Sequence, residues 1–182
     1  MNKTIENLKA AIKGETTASA TYAAYAVKAM QEGQPLIQKL FEAASKAESI
    51  HAVNHNKVLE KLGAKMDAFE INITVNSTAE NLKAAIAGET HEFECMYPEF
   101  IAVAKEEGQD AAVRSFTWAT EAEKEHADFY TAALQALENG DTSTLPKQYW
   151  ICPLCGDTFK SLDGVTVCPL CNAKAEKFLV IG

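Results

Sequence analysis

Apolar side chains recur at three- and four-residue spacing through the first three quarters of the chain, a period that predicts amphipathic helices. The first predicted helix runs from about Thr4 to Gln31 and lines Ile5, Leu8, Ile12, Ser19, Tyr22 and Ala26 along one stripe. Gly33 then supplies a C-terminal stop, and Pro35 a first-turn start for the next helix. That second helix carries Ile37, Phe41, Ala44, Val58 and Leu62 on one face and stops at Gly63. The third starts after Ser77, where Ser77-Thr-Ala-Glu80 has the form of a capping box, and ends near Gly108. The fourth covers roughly Asp110 to Glu138, up to the Asn139-Gly140 break. After Pro146 the helical period is lost, and a short, turn-rich segment closes on Phe178-Leu-Val-Ile181.

The connections at Gly33 and Gly108 are tight, whereas the one from Ala64 to Asn76 is long. Two tight hairpins joined by a long crossover is the ferritin-like connectivity. The expected fold is therefore an all-α, ferritin-like four-helix bundle over residues 1–146, with a small metal-knuckle domain over 147–182. An internal repeat supports it. Asn7-Leu-Lys-Ala-Ala-Ile-Lys-Gly-Glu-Thr16 recurs as Asn81-Leu-Lys-Ala-Ala-Ile-Ala-Gly-Glu-Thr90, so the two hairpins are versions of one unit. The repeat also slips by one residue. Glu15 and Glu89 lie 74 positions apart, but Tyr22 and Tyr97, Gly33 and Gly108, and Glu48 and Glu123 lie 75 apart. In a regular helix the extra residue would turn Tyr97 about 80° off the Glu89 face. A single wide π-type turn between Glu92 and Phe100 restores it, and Pro98, which lacks an N–H, already interrupts the ladder there.

The inward stripes carry acid. Glu15 falls between Ile12 and Ser19, Glu48 and His51 continue Phe41 and Ala44, Glu89 follows Leu82 and Ile86 with Glu92 three residues on, and Glu123 and His126 continue Phe116 and Ala119. Burying bare carboxylates costs several kcal/mol each unless something positive compensates, and no comparable set of Lys or Arg faces inward. One Glu from each of two helices, plus Glu-x-x-His from each of the other two, is the ligand pattern of di-iron bundles. Here Glu15 and Glu89 are the single carboxylates, and Glu48-x-x-His51 and Glu123-x-x-His126 are the pairs. His55 reads as core or a group behind the site, His91 as exposed, and Cys95 as a small buried hydrophobe.

Cys152-x-x-Cys155 and Cys168-x-x-Cys171 form two knuckles that can enclose one tetrahedral ion, iron or zinc. Their segment has too little apolar mass to fold without that ion, while the bundle core is expected not to depend on it. Charge narrows the partners. The chain has 17 basic and 25 acidic side chains, a net −8, with no basic block, which argues against nucleic acid. No apolar run approaches the ~20 residues of a membrane span. The N-terminus runs straight into an amphipathic pattern with no signal core, and a cytoplasmic location is expected.

Taken together, Glu15, Glu48-x-x-His51, Glu89-x-x-Glu92, Glu123-x-x-His126, Cys-Pro-Leu-Cys-Gly and Cys-Pro-Leu-Cys resemble the rubrerythrin family over essentially the whole chain. One departure is Asn172, where the family often has Gly; Asn tolerates the left-handed conformation better than most residues. The resemblance implies a non-haem di-iron peroxidase that reduces hydrogen peroxide to water in oxidative-stress defence. It implies that Glu48 and Glu123 bridge the irons, that Glu15 serves one iron and Glu89 and His126 the other, and that Glu92 replaces His51 on oxidation. It makes Tyr22 and Tyr97 hydrogen-bonding groups at the site. It gives the four cysteines an iron that passes electrons inward from a reductase or small redox protein, and it places that iron close to the di-iron site of a partner subunit in a head-to-tail homodimer. Charge counting agrees with the exchange. Two ferrous ions balance the four carboxylates, whereas two ferric ions favour a fifth, Glu92. Two other functions fit the same residues: a di-iron oxidase or ferroxidase, and a structural protein with zinc in both sites.

Overall fold

The structure, a computed structural model, describes residues 2–182. Helices α1 (Lys3–Gln31), α2 (Pro35–Lys61), α3 (Thr78–His91), α4 (Tyr97–Glu106) and α5 (Asp110–Glu138) build the bundle, α3 and α4 being one rod interrupted by a π-helical turn, Glu92–Met96. The helix ends are where local chemistry puts them. The Ser77 hydroxyl and the Glu80 carboxylate form the reciprocal capping box at the start of α3. Gly33, Gly63 and Gly108 take positive φ after α1, α2 and α4, which a residue with a Cβ adopts at a cost. Among the described residues no helix is long and apolar enough to cross a membrane.

The two hairpins cap each other. Glu107, at the end of the second hairpin's first rod, accepts hydrogen bonds from the backbone N–H groups of Lys3 and Thr4, both at 2.9 Å. Glu32, its counterpart in the repeat, accepts from the N–H of Thr78 at 2.8 Å. A carboxylate at each helix N-terminus also meets the positive end of the helix dipole. The internal repeat is thus realised as an approximate two-fold. Its apolar cores obey it too: Leu8, Leu59, Tyr97 and Phe116 pack in one cluster, while their counterparts Leu82, Leu134, Tyr22 and Phe41 pack in another. On α1, Glu15 stands between the contributions to these two clusters, so the acidic level of the bundle is closed by apolar packing on both sides.

The expected wide turn is present within the predicted interval. The Tyr97 N–H bonds to the Glu92 carbonyl, five residues back, and Pro98 falls in the first turn of α4, where its missing N–H costs nothing.

Beyond α5 a three-stranded antiparallel sheet, β1 (Tyr149–Ile151), β2 (Thr158–Phe159) and β3 (Leu179–Ile181), has the order β2-β1-β3. Asn172 does adopt the left-handed conformation, at φ 62°. The bundle core also takes in side chains of this segment: Tyr149 and Ile151 are buried in the same cluster as Phe41, Phe129 and Tyr130. A β-strand whose side chains alternate faces can lend one face to a neighbouring core, and β1 does so.

Candidate metal centre

Glu15, Glu48, His51, Glu89, Glu123 and His126 come together at the centre of the bundle, none more than 1% exposed. Ligand atoms of Glu15, Glu48, His51 and Glu123 lie within 4.8 Å of one another, and so do those of Glu48, Glu89, Glu123 and His126. Glu48 and Glu123 belong to both groups, which sets them between two adjacent positions for an ion. Both histidines aim Nδ1 inward. His51 Nδ1 is 2.9 Å from Glu48 Oε2 and 3.1 Å from Glu123 Oε1, and His126 Nδ1 is 2.9 Å from Glu123 Oε2 and 3.3 Å from Glu48 Oε1. Each Nδ1 has a single proton to give, and Glu15 Oε2, Glu48 Oε1 and Glu123 Oε1 are left buried without a hydrogen bond. Orphaned buried carboxylate oxygens converging on two points fit two divalent cations.

The protonation pattern of the protein alone says the same. Burial pushes the Glu48 carboxyl up to about 7, and the charges of Glu123 and Glu15 push it further the same way. Burial works against charge on Glu15 as well, but hydrogen bonds to His51 and His55 outweigh it and hold that carboxyl well below the usual range. Burial opposes a cationic His126, yet the Glu48 charge and hydrogen bonds to Glu123 and Glu48 raise it to about 10. His51 rises well above its ordinary value against the same opposition, Glu123 being the strongest attraction. Protons on the imidazoles stand where metal charge belongs. In the metal-free chain a raised histidine contributes stability that is complete below its ordinary value of 6.5 and is lost as pH climbs through about 10. Metal has to displace those protons, so loading is expected to release about one proton per ion and to tighten as pH rises from 6 to 8. Calorimetry in buffers of different ionisation enthalpy measures the count; uptake without proton release contradicts it.

Behind the cluster the two-fold continues. The Tyr22 hydroxyl donates to Glu89 Oε1 at 2.8 Å, and the Tyr97 hydroxyl donates to Glu15 Oε1, so each terminal carboxylate is held by a tyrosine from the other hairpin. His55 is buried behind Glu15, with Nε2 3.2 Å from the Tyr97 hydroxyl and Nδ1 2.7 Å from Ser115 Oγ. Ser115 escaped the sequence reading, since a serine on an apolar stripe has no spacing signal. His91 is exposed as expected. Cys95 is not buried but exposed. Cys95 lies within the wide turn, Glu92–Met96.

Glu92 sits apart. It is half-buried, outside both ligand groups, and lines a groove of about 500 Å³ between α1 and α3 with Gly14, Ala18, Tyr22 and Gly88. A Cβ on Gly14 would lie only 3.7 Å from Glu92 Oε1. Burial, reinforced by Glu15, Glu123 and Glu48, holds its carboxyl well above the usual range.

The four cysteines are free thiols whose sulfurs lie within 4.8 Å of one another, with Cys152 Sγ 3.4 Å from Cys171 Sγ and Cys155 Sγ 3.6 Å from Cys168 Sγ. Four converging sulfurs held by two turns, Gly156 N–H to Cys152 O at 3.0 Å and Asn172 N–H to Cys168 O at 2.9 Å, fit one tetrahedral thiophilic ion. This module seats on its own chain's cluster. Asn54 Nδ2 donates to Leu154 O at 2.7 Å, His126 Nε2 meets Thr158 Oγ1 at 3.0 Å, and Gly156 abuts the His51 ring. Within one chain the module thus lies directly against the bundle's own cluster. Neither Thr158 nor Gly156 could be found by spacing, because their partners His126 and His51 lie on other elements, 32 and about a hundred residues away.

The chain matches the rubrerythrin family model over residues 6–134. It is 37% identical over 179 residues to nigerythrin of Nitratidesulfovibrio vulgaris, covering 98% of this chain and 86% of that protein. It is 34% identical over 182 residues to rubrerythrin-2 of Clostridium acetobutylicum, covering 96% and 95%. The solved structure of fully reduced, all-ferrous nigerythrin superposes with a TM-score of 0.86 over 97% of this chain and 86% of that one. Similarity at this level over nearly the whole of both proteins admits one conclusion: the chain belongs to the rubrerythrin family, whose di-iron centre and rubredoxin-like iron it shares.

Proposed function

We propose that this protein reduces hydrogen peroxide to water at the bundle centre, with Glu15, Glu48, His51, Glu89, Glu123 and His126 holding the two irons and Glu92 as the incoming ligand. The observation that carries the reading is the fifth carboxylate. Glu92 has no counterpart at Ala18 or Ser19 in the first repeat, and the π turn presents it beside the cluster yet outside it while His51 occupies the near position. Two irons held by these residues would supply the pair of electrons that reduction of a peroxide requires.

The side chains supply the rest. Reduction of one peroxide to two waters consumes two electrons and two protons. Withdrawn Glu92 is held toward its neutral form by burial and by its acidic neighbours, so it brings one of the two protons on Oε and gives it up as it moves toward the cluster, and the second proton comes from solvent water reaching the site through the α1–α3 groove. Tyr22 and Tyr97 fix the orientation of Glu89 and Glu15 and stay protonated, since burial raises both phenols well above their usual range. The α1–α3 groove, floored by Glu92 and Tyr22 and walled by small residues, admits a molecule of peroxide's size. Electrons enter from a reductase or small redox protein at the four-cysteine module, beside exposed Leu154 and Val167, and pass to the cluster that the module covers. A four-cysteine metal site suits a reducing compartment, and a cytoplasmic location goes with this reading.

Glu92→Ala is expected to retain both irons while oxidation of the reduced protein by peroxide slows by about 10²-fold, the scale of losing a positioned proton-transfer group. Stopped-flow spectroscopy of the anaerobically reduced chain measures it. Wild-type rates in that variant would remove Glu92 from the reaction.

A further inference from the structure

His51 and His126 are equivalent in the repeat, 75 positions apart, and their inward faces match: each Nδ1 lies 2.9 Å from the carboxylate of its own Glu-x-x-His pair. Their outward faces do not match. His126 Nε2 lies 3.0 Å from Thr158 Oγ1, and that hydroxyl donates to Gly156 O at 3.2 Å. His51 Nε2 is buried with no partner at all.

Proton inventory orders the first of these contacts. A threonine hydroxyl has one proton, and here the Gly156 carbonyl takes it. The oxygen lone pairs then face His126 and accept Nε2–H. With the proton on Nε2, Nδ1 of a neutral His126 is left bare toward the carboxylates, which is the form a metal binds. Thr158 is 1% exposed, so no water competes for the bond. Nothing equivalent holds the second ring. Gly156 instead packs closely on His51 without bonding to it: a Cβ there would stand 2.2 Å from His51 Nε2.

We propose that Thr158, in the four-cysteine module, is a positioning residue for His126, so that the module holds the far side of one histidine of the pair and offers no such bond to the other, His51. The module is then part of the bundle's metal site as well as its electron source. The inference rests on the reading that both histidines hold metal, and its test is a metal affinity rather than peroxide turnover, so the two can fail separately.

The experiment uses the full-length chain with zinc in the four-cysteine site and titrates the bundle with cobalt(II). In Thr158→Val one of the two bundle sites is expected to weaken by about 10- to 100-fold, the usual cost of removing a histidine's outer partner, while the other keeps its affinity. Thr158→Ser should restore it. Asn54→Ala removes the module's bond at Leu154 without touching His126 and should leave both sites unchanged. Unaltered affinities in Thr158→Val, no rescue by serine, or the same loss in Asn54→Ala overturns the proposal, the last by reducing Thr158 to a seat for the module. A second readout needs no variant. In the zinc-loaded wild-type chain, NMR should show a slowly exchanging Nε2 proton on His126 and none on His51, and fast exchange at His126 would refute the bond directly.

Discussion

Glu123→Gln is expected to leave a folded bundle that retains neither ion firmly and has lost peroxide turnover by at least about 10²-fold, more than the 10- to 100-fold usual for a group behind the ligands. Glu123 contacts both histidines, at 3.1 Å to His51 Nδ1 and 2.9 Å to His126 Nδ1, and shares in both ligand groups. Glutamine keeps the volume, so no cavity opens in a site that is fully buried, but it cannot supply the negative charge that two cations share. Single-ligand loss at Glu15 or Glu89 touches one ion; loss at Glu123 touches both. Metal analysis after gel filtration, with circular dichroism to confirm the helices, decides the matter. Two tightly held irons per chain in Glu123→Gln would mean that the carboxylate does not lie between them.

Gly156→Ala is expected to act on the contact between the modules. Gly156 holds φ at 87°, where an alanine costs about 1–2 kcal/mol, and its new Cβ would meet His51 Nε2 at 2.2 Å, His51 Cδ2 at 2.6 Å and Ala47 O at 3.2 Å. The carbonyl cannot give way without unwinding α2, so either the His51 ring is displaced or the module lifts from the bundle. The four sulfurs are untouched, and the visible band of the cysteine-bound iron should persist. Donor-supported turnover is expected to fall by at least about tenfold, as misplacement on this scale does in other sites, while direct reduction of the bundle by a small chemical reductant stays closer to normal. Undiminished transfer from the cysteine site would show that this face of the module is not the electron path.

Much of this was legible in the residues because it is written within one or two helical turns. Gly33, Gly63 and Gly108 end helices by their own backbone freedom, Ser77 and Glu80 start one by pairing across three residues, and Glu48-x-x-His51 and Glu123-x-x-His126 share a face by the helical period alone. Even the π turn at Glu92–Met96 followed from counting, since a repeat that slips from 74 to 75 while Tyr97 keeps its role must absorb a residue between the two. What local pattern could not supply is anything that depends on how surfaces far apart in the chain meet. Cys95 looked like a buried hydrophobe because its exposure is set by the phase of the wide turn, not by its own character. The seat of the cysteine module, the burial of Tyr149 and Ile151 in the bundle core, and the contacts of Thr158 with His126 and of Gly156 with His51 join residues that share no period and no motif. Helix ends, ligand spacing and the wide turn were therefore determined by the sequence, through hydrogen bonds and periodicities a few residues long. Which histidine finds a partner at Nε2 and which does not was decided only by tertiary packing, because the local Glu-x-x-His motif is the same in both copies and the difference lies in what the folded chain sets against the far side of each ring.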